Sequence, residues 1–383
     1  MQKTKKFWAY EFSQQIDIKT DFLENTKLKG RFYDDISSLY YEFLGSPPHP
    51  SLKQPYGKEY TEPNIISFIN VLIDINTLKL LFYVIPNSKI ITLKFSSNLF
   101  DFNNFEFMIN SLINKQNTVY NFIFEWNSEF KFEGKVYSIN KKNPNSIDLN
   151  SLPKSPKSKT SGSDIKEIIN RYEESIIKLT NSQKIEAICL RGNFLGDANI
   201  KHIFENLKNN QTLKILNLYK NDLTSECIPL FCEMLEVNRK LEEINIGGNN
   251  LKNEDLNMIR NSIGRIQLSG DELEDYQRRA KEKEAILDRN KKNKGKKPDE
   301  PIPFVEEVTQ IEDKFYIVRN MKVRTLNVMQ NNFTEEVYET VINMLDISPD
   351  LLLTVDNKVF SKGIRERLNH PHSKYANRIY LAK

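Results

Sequence analysis

One short pattern returns along this chain at a fixed interval. From Ile185 the sequence reads Ile-x-x-Ile-x-Leu-x-x-Asn-x-Leu, and Leu213 and Leu241 open two further copies, each 28 residues on. Apolar positions coincide as Ile188/Leu216/Ile244, Leu190/Leu218/Ile246 and Leu195/Leu223/Leu251. The ninth position is Asn each time: Asn193, Asn221 and Asn249. Self-similarity at such a period marks stacked units, because one unit alone cannot bury its own apolar face. Ile90, Leu93, Phe95, Asn98 and Phe100 meet the same register, as do Val323, Leu326, Val328, Asn331 and Phe333. Val119, Phe122, Phe124 and Asn127 meet it too, with Glu129 as the one departure.

Each copy changes period half-way. The opening alternates with period two, as a short strand does. Ile200/Ile203/Leu207, Ile228/Phe231/Leu235 and Leu256/Ile259/Ile263 then lie 15, 18 and 22 residues after the opening residue. Phe105/Met108/Leu112 share these offsets and Tyr338/Val341/Leu345 nearly do. Spacings of three and four place such residues on one helix face. Each unit reads as strand, Asn turn, helix. The Asn amide is expected to be buried and to bond the backbone of its own and the adjacent loop, and loss of such a partner costs about 1–3 kcal/mol. By the same argument Asn210, on a loop between helix and strand, is expected to matter less than Asn221.

The pattern resembles the leucine-rich repeats of the ribonuclease-inhibitor type, over roughly residues 78–360 apart from two insertions. The resemblance implies an α/β leucine-rich repeat solenoid: curved strand–helix repeats of about 28 residues, helices on the convex side, and a helical N-terminal cap. That family includes inhibitors, GTPase activators, actin-capping proteins and ciliary scaffolds, so the fold alone does not choose a function.

The chain then divides as follows. Residues 1–63 form a helical cap and Pro-rich loop, with Asp21–Leu44 reading as helix, Gly45 as its end, and a new helix beginning after Asn64. Thr77–Leu81 resembles Thr212–Leu216 and offers a degenerate strand there. Residues 64–140 hold the N-terminal repeats, with Phe130–Val136 reading as a small hairpin. Residues 141–163 read as a disordered basic linker, and 164–263 as central repeats whose first helix is Ile165–Leu179. Residues 264–315 read as a charged helical insertion, with Asp271–Asn290 an exposed helix carrying pairs such as Glu274–Arg278. Residues 316–383 hold the last repeat and a C-terminal cap that starts after Leu351.

Composition narrows the setting. The 383 residues carry a net charge of +4 and no apolar run of about 18 residues, so no transmembrane helix is expected. Met1–Tyr10 lacks the apolar stretch of a secretory signal. Three cysteines give no even-numbered disulfide framework, and Cys227 and Cys232 are expected as buried free thiols. A cytoplasmic location follows, with cytoskeleton or cilium as the setting that the resemblance suggests.

No catalytic constellation is found. Neither Gly-x-Gly-x-x-Gly nor Gly-x-x-x-x-Gly-Lys-Ser/Thr occurs. His370-Pro371-His372 lacks the carboxylate or Cys neighbours that would complete a metal set. No catalytic residue, cofactor or metal is therefore assigned, and function is sought on surfaces. The strand positions that alternate with the core form the concave face, and Trp126, Arg191, Tyr219, Lys220 and Met329 are its candidate protein-binding residues. Trp, Tyr and Arg are the types enriched in binding hot spots. Lys291, Lys292, Lys294, Lys296 and Lys297 make a basic cluster that reads as a solvated linker, a nuclear signal or a contact for an acidic surface such as tubulin tails. The expectation is a non-enzymatic protein–protein scaffold in a multi-subunit cytoskeletal assembly, an axonemal one by the resemblance, with no membrane partner and nucleic acid disfavoured. The alternatives are a Ran-type GTPase activator, whose usual acidic terminal segment is absent here, and an actin-capping module.

Overall fold

The computed structural model describes residues 18, 23, 26–55, 57, 59–127, 129–132, 135–139, 147–148, 162–292 and 307–382. Its strands are β1 (Ile65–Ile69), β2 (Leu72–Ile73), β3 (Thr92–Ser96), β4 (Leu99–Asp101), β5 (Asn121–Glu125), β6 (Glu129–Phe132), β7 (Lys135–Ile139), β8 (Ile147–Asp148), β9 (Ala187–Cys189), β10 (Ile215–Asn217), β11 (Glu243–Asn245), β12 (Arg265–Gln267), β13 (Val308–Ile311), β14 (Lys314–Val318), β15 (Thr325–Asn327), β16 (Leu352–Asp356) and β17 (Ile379–Ala382). The α-helices are α1 (Phe32–Leu39), α2 (Ile75–Val84), α3 (Phe102–Ile113), α4 (Gly162–Asn181), α5 (Gly196–Leu207), α6 (Ile228–Val237), α7 (Asn253–Asn261), α8 (Gly270–Lys292), α9 (Tyr338–Ile347) and α10 (Lys362–Asn369).

β1, β3, β5, β9, β10, β11, β15, β16 and β17 form one nine-stranded sheet in which every neighbouring pair is parallel. The architecture is α/β. Parallel neighbours need a crossover connection, and helices supply it: α2, α3, α4, α5, α6, α7 and α9 pack side by side in that order. Register brings equivalent residues together, with Phe122 opposite Ile188, Ile188 opposite Leu216, Leu216 opposite Ile244 and Ile244 opposite Leu326. These residues and the inward faces of the helices are buried in one continuous core. Toward the N-terminal side the core is aromatic: Phe68 stacks on Phe95 at 5.2 Å, and Phe124 packs against Phe100 and Phe105 at 5.5 and 5.2 Å.

The ninth-position asparagines join successive units. The N–H of Asn98 donates to Asn127 Oδ1 at 2.7 Å, that of Asn127 to Asn193 Oδ1 at 2.9 Å, and that of Asn221 to Asn249 Oδ1 at 2.9 Å. Each Nδ2 reaches back to the preceding unit, as from Asn127 to Phe95 O and from Asn221 to Leu190 O, both 2.9 Å. The residue before each ladder position is left-handed: Ser97, Trp126, Gly192, Lys220, Gly248 and Gln330 all have φ between 55° and 68°. A second ladder runs along the opposite loops. Asn210 Nδ2 donates to Thr180 O and Ser182 O at 2.8 and 3.1 Å, Asn238 Nδ2 to Leu207 O and Asn210 O, and Asn320 Nδ2 to Leu235 O and Asn238 O. Asn210 is thus buried with its amide fully engaged, so the ground for expecting it to matter less than Asn221 is gone.

Several other expectations need correction. The expected helix Asp21–Leu44 is not continuous: Leu23 is helical, residues 26–31 are not, and α1 begins at Phe32, because Gly30 turns at φ 77° and the buried Asp35 carboxylate accepts from the N–H groups of Lys29, Gly30 and Arg31. Gly45 closes the helical run in the left-handed conformation. Asn64 precedes strand β1 and not a helix, while Thr77–Leu81 lies inside α2, whose N-cap Asp74 accepts from Thr77 N at 2.9 Å. After Leu351 the sheet continues through β16 and β17 instead of stopping at a cap. Residues 264–315 are not only helical: β12, β14 and β13 form a small antiparallel sheet, and the charged helix α8 lies between β12 and β13 in the chain. In α8, Arg278 pairs with Asp275 and not Glu274. β6 and β7 form a hairpin, and β7 also pairs with β8, so part of the stretch read as a disordered linker is strand. Residues 141–146 and 149–161 lie outside the described residues. Cys189, Cys227 and Cys232 are free thiols, the last two buried.

Candidate functional site

A parallel sheet is usually covered on both faces. Here the alternate strand positions leave one face open among the described residues. Ile65, Ile69, Ile215, Leu352 and Tyr380 all point to it, each between 38 % and 68 % exposed. Their strand neighbours Ile66, Phe68, Leu216, Leu353 and Ile379 are buried on the other side.

Four of the five sequence-selected residues meet at the C-terminal ends of β5, β9 and β10. Trp126 and Lys220 occupy left-handed turn positions, with φ of 58° and 55°. The turns are tied by backbone bonds from Trp126 N to Arg191 O, Gly192 N to Tyr219 O, and Lys220 N to Gly247 O, at 2.9, 2.9 and 3.0 Å. The Arg191 guanidinium lies between two rings, its Cζ 5.4 Å from the centre of Trp126 and 4.6 Å from that of Tyr219. The Lys220 ammonium lies over the same rings at 5.9 and 5.5 Å. Two glycines make room. A Cβ on Gly192 would sit 2.1 Å from the Trp126 ring, and one on Gly248 would sit 2.7 Å from Lys220 Cγ.

Met329 borders this group through Gly247, where a Cβ would come within 3.2 Å of Met329 Cγ. The strand register already puts Gln330 on this face, but not its contact: its Oε1 accepts from the Tyr219 hydroxyl. No short-range signal links residues 111 apart; only the stacking of the units brings them together. Tyr219 itself departs from expectation. It is 7 % exposed, so it is the plate under the two cations and not a free contact residue. Trp126 and Arg191 are half-buried and Lys220 is exposed.

No family model and no curated protein matches this chain.

Beside the cluster, Glu125 holds Lys94 Nζ at 3.2 Å and accepts from the Cys189 thiol at 3.4 Å. Burial, with that carboxylate adding to it, pushes the Cys189 thiol up to about 12, so it stays protonated at neutral pH. Of the basic cluster, Lys291 and Lys292 are the last residues of α8, and Lys294, Lys296 and Lys297 lie outside the described residues. His370 and His372 line an open cavity of about 530 Å³ with Tyr338, Glu366, Arg367 and Tyr375. Among the described residues no group of three His, Cys, Asp or Glu is placed to hold a metal ion, and no helix is long and apolar enough to cross a membrane.

Proposed function

We propose that this chain is a leucine-rich repeat scaffold of the ribonuclease-inhibitor type that binds other proteins through the open face of its parallel sheet. In this reading it is non-catalytic and works in the cytoplasm as a structural subunit of a large cytoskeletal assembly, an axonemal one by family analogy. One observation carries it: aliphatic and aromatic residues are exposed along a sheet face that ordinary α/β packing would cover. Apolar area left in water forgoes about 25 cal/mol per Å², and a patch of that kind marks an interaction surface more often than an accident.

The test is capture of partners by the full chain, compared with the Ile215→Arg/Leu352→Arg variant. Both positions are exposed, so the fold is retained and only the face changes. Loss of capture is expected. Undiminished capture would remove the open face from the reading, and acceleration of GTP hydrolysis or arrest of actin elongation would place the chain in another branch of the repeat family.

A further inference from the structure

We infer that Trp126, Arg191, Tyr219 and Lys220 form a site for an acidic peptide, with Arg191 and Lys220 clasping a partner's Asp or Glu carboxylate. The inference rests on the open sheet face being the binding surface, and it adds the chemistry of what binds there.

Two cations of the cluster have no counterion among the described residues. The one basic residue within the nine strands, Lys94, is neutralised by Glu125 at 3.2 Å. Among the described residues Arg191 and Lys220 make no ion pair, and the Arg191 guanidinium makes no hydrogen bond. Arg191 Nε is buried without an acceptor, and the residue as a whole is half-buried. A guanidinium fork with unfilled donors receives a carboxylate bidentately.

The cluster is also preorganised. A guanidinium held between two rings has already lost much of its side-chain freedom, so little further ordering is needed on binding. Tyr219 is fixed by Gln330, and Trp126 is seated in the space left by Gly192. Trp126 and Lys220 occupy left-handed positions that a side chain seldom adopts, while glycine fills the equivalent places at Gly192 and Gly248. Non-glycine residues held there are strained and cluster at ligand clamps.

Neighbouring carboxylates set the class of ligand. Glu125 adjoins the cluster, and Glu243 and Asp356 lie on the same sheet face. These carboxylates oppose a nucleic-acid backbone or a doubly charged phosphate, yet leave room for single carboxylates met one at a time by two cations. A flat aromatic rim beside the cations suits the aliphatic stem of a glutamate.

The test titrates full-length protein with fluorescein-labelled (Glu-Gly)4 at low salt, with (Gln-Gly)4, (phosphoserine-Gly)4 and an eight-nucleotide single-stranded DNA as the other arms. The glutamate peptide should bind and the glutamine peptide should not. Arg191→Gln should weaken binding by about ten- to hundredfold. Arg191→Lys should recover only part of it, because the fork is gone. Lys220→Gln should cost a few-fold and flatten the salt dependence, with far-ultraviolet circular dichroism unchanged in all three. Equal binding of the glutamate and glutamine peptides, no binding of either, indifference to Arg191→Gln, or preference for phosphopeptide or DNA would each overturn the inference. If it fails while Ile215→Arg/Leu352→Arg still abolishes partner capture, the open-face reading stands alone; if capture is also untouched, both fall.

Discussion

The backbone N–H of Asn193 donates to Oδ1 of Asn221 at 3.1 Å, although 28 residues separate them in the chain. Leu195 N shares the same oxygen at 3.4 Å, and Asn221 Nδ2 returns to Leu190 O at 2.9 Å. Asn221→Leu therefore leaves buried donors and an acceptor without partners, and should destabilise by about 1–3 kcal/mol in urea unfolding. Asn210→Leu should cost a comparable amount, since Thr212 N, Leu213 N, Thr180 O and Ser182 O all lose a partner. An Asn210 effect several times smaller than that of Asn221 would contradict the second ladder.

Gly192→Ala tests the seat of Trp126. The new methyl would lie 2.1 Å from the ring and the residue would be held at φ 68°. The ring must swing out, with a loss of about 1–3 kcal/mol from the strained backbone and a red-shifted Trp126 emission in a Trp8→Phe background. An unshifted spectrum would show that the ring does not rest on Gly192.

Lys184 gives stability a dependence on pH. Its ammonium donates to Asn114 O at 3.0 Å and to Asn117 O, over the end of α3, and burial lowers its pKa from 10.5 to about 8. Between those values the unfolded chain holds the extra proton, so the contribution of this group to stability rises as pH increases from about 8 toward 10.5. Thermal melts of Lys184→Met should lack that rise. Brief acetylation at pH 8 followed by mass spectrometry should find Lys184 modified ahead of ordinary surface lysines.

A chain break placed near Ser155 should leave the two pieces associated. Phe105 of α3 stacks on Tyr172 of α4 with ring centres 5.4 Å apart, and Arg171 Nε donates to Glu106 Oε1 at 3.1 Å. β5 also pairs directly with β9. Separation of the pieces on size-exclusion chromatography under native conditions would mean that these contacts do not hold the two halves. Phe105→Ala in the cut protein should promote separation, since Phe→Ala in a core costs about 3–5 kcal/mol.

The interior units were legible because each of their Asn residues serves two neighbours, which ties the residue type to the period. The ends were less so. Val71 stands where the ladder would place Asn, yet its N–H still donates to Asn98 Oδ1 at 3.0 Å. With no further rung to receive, the first unit has no use for an amide, and β1 lost its mark. β16 and β17 lie past Asn331, and the register puts Lys358 at the next ladder position. The second ladder did leave a trace, Asn three residues before Leu213, Leu241 and Val323, but its partners are carbonyls that sequence does not display. In the candidate site, residue types picked out Trp126, Arg191 and Lys220. That Tyr219 lies beneath the cations, and that Gln330 holds it, depends on side-chain packing between units.

The bond from Asn127 N to Asn193 Oδ1 spans 66 residues, and that from Leu251 N to Asn331 Oδ1 spans 80. Tension applied to the two termini would travel through these bonds and the paired strands, leaving the intervening chain unloaded. That chain is stored length. Opened one unit at a time in an optical trap, an ordinary 28-residue unit should release roughly 9 nm, and the unit between Asn127 and Asn193 roughly 22 nm, at about 3.4 Å per residue. The molecule would lengthen in unequal steps, and the two longest would mark where the insertions leave and rejoin the sheet.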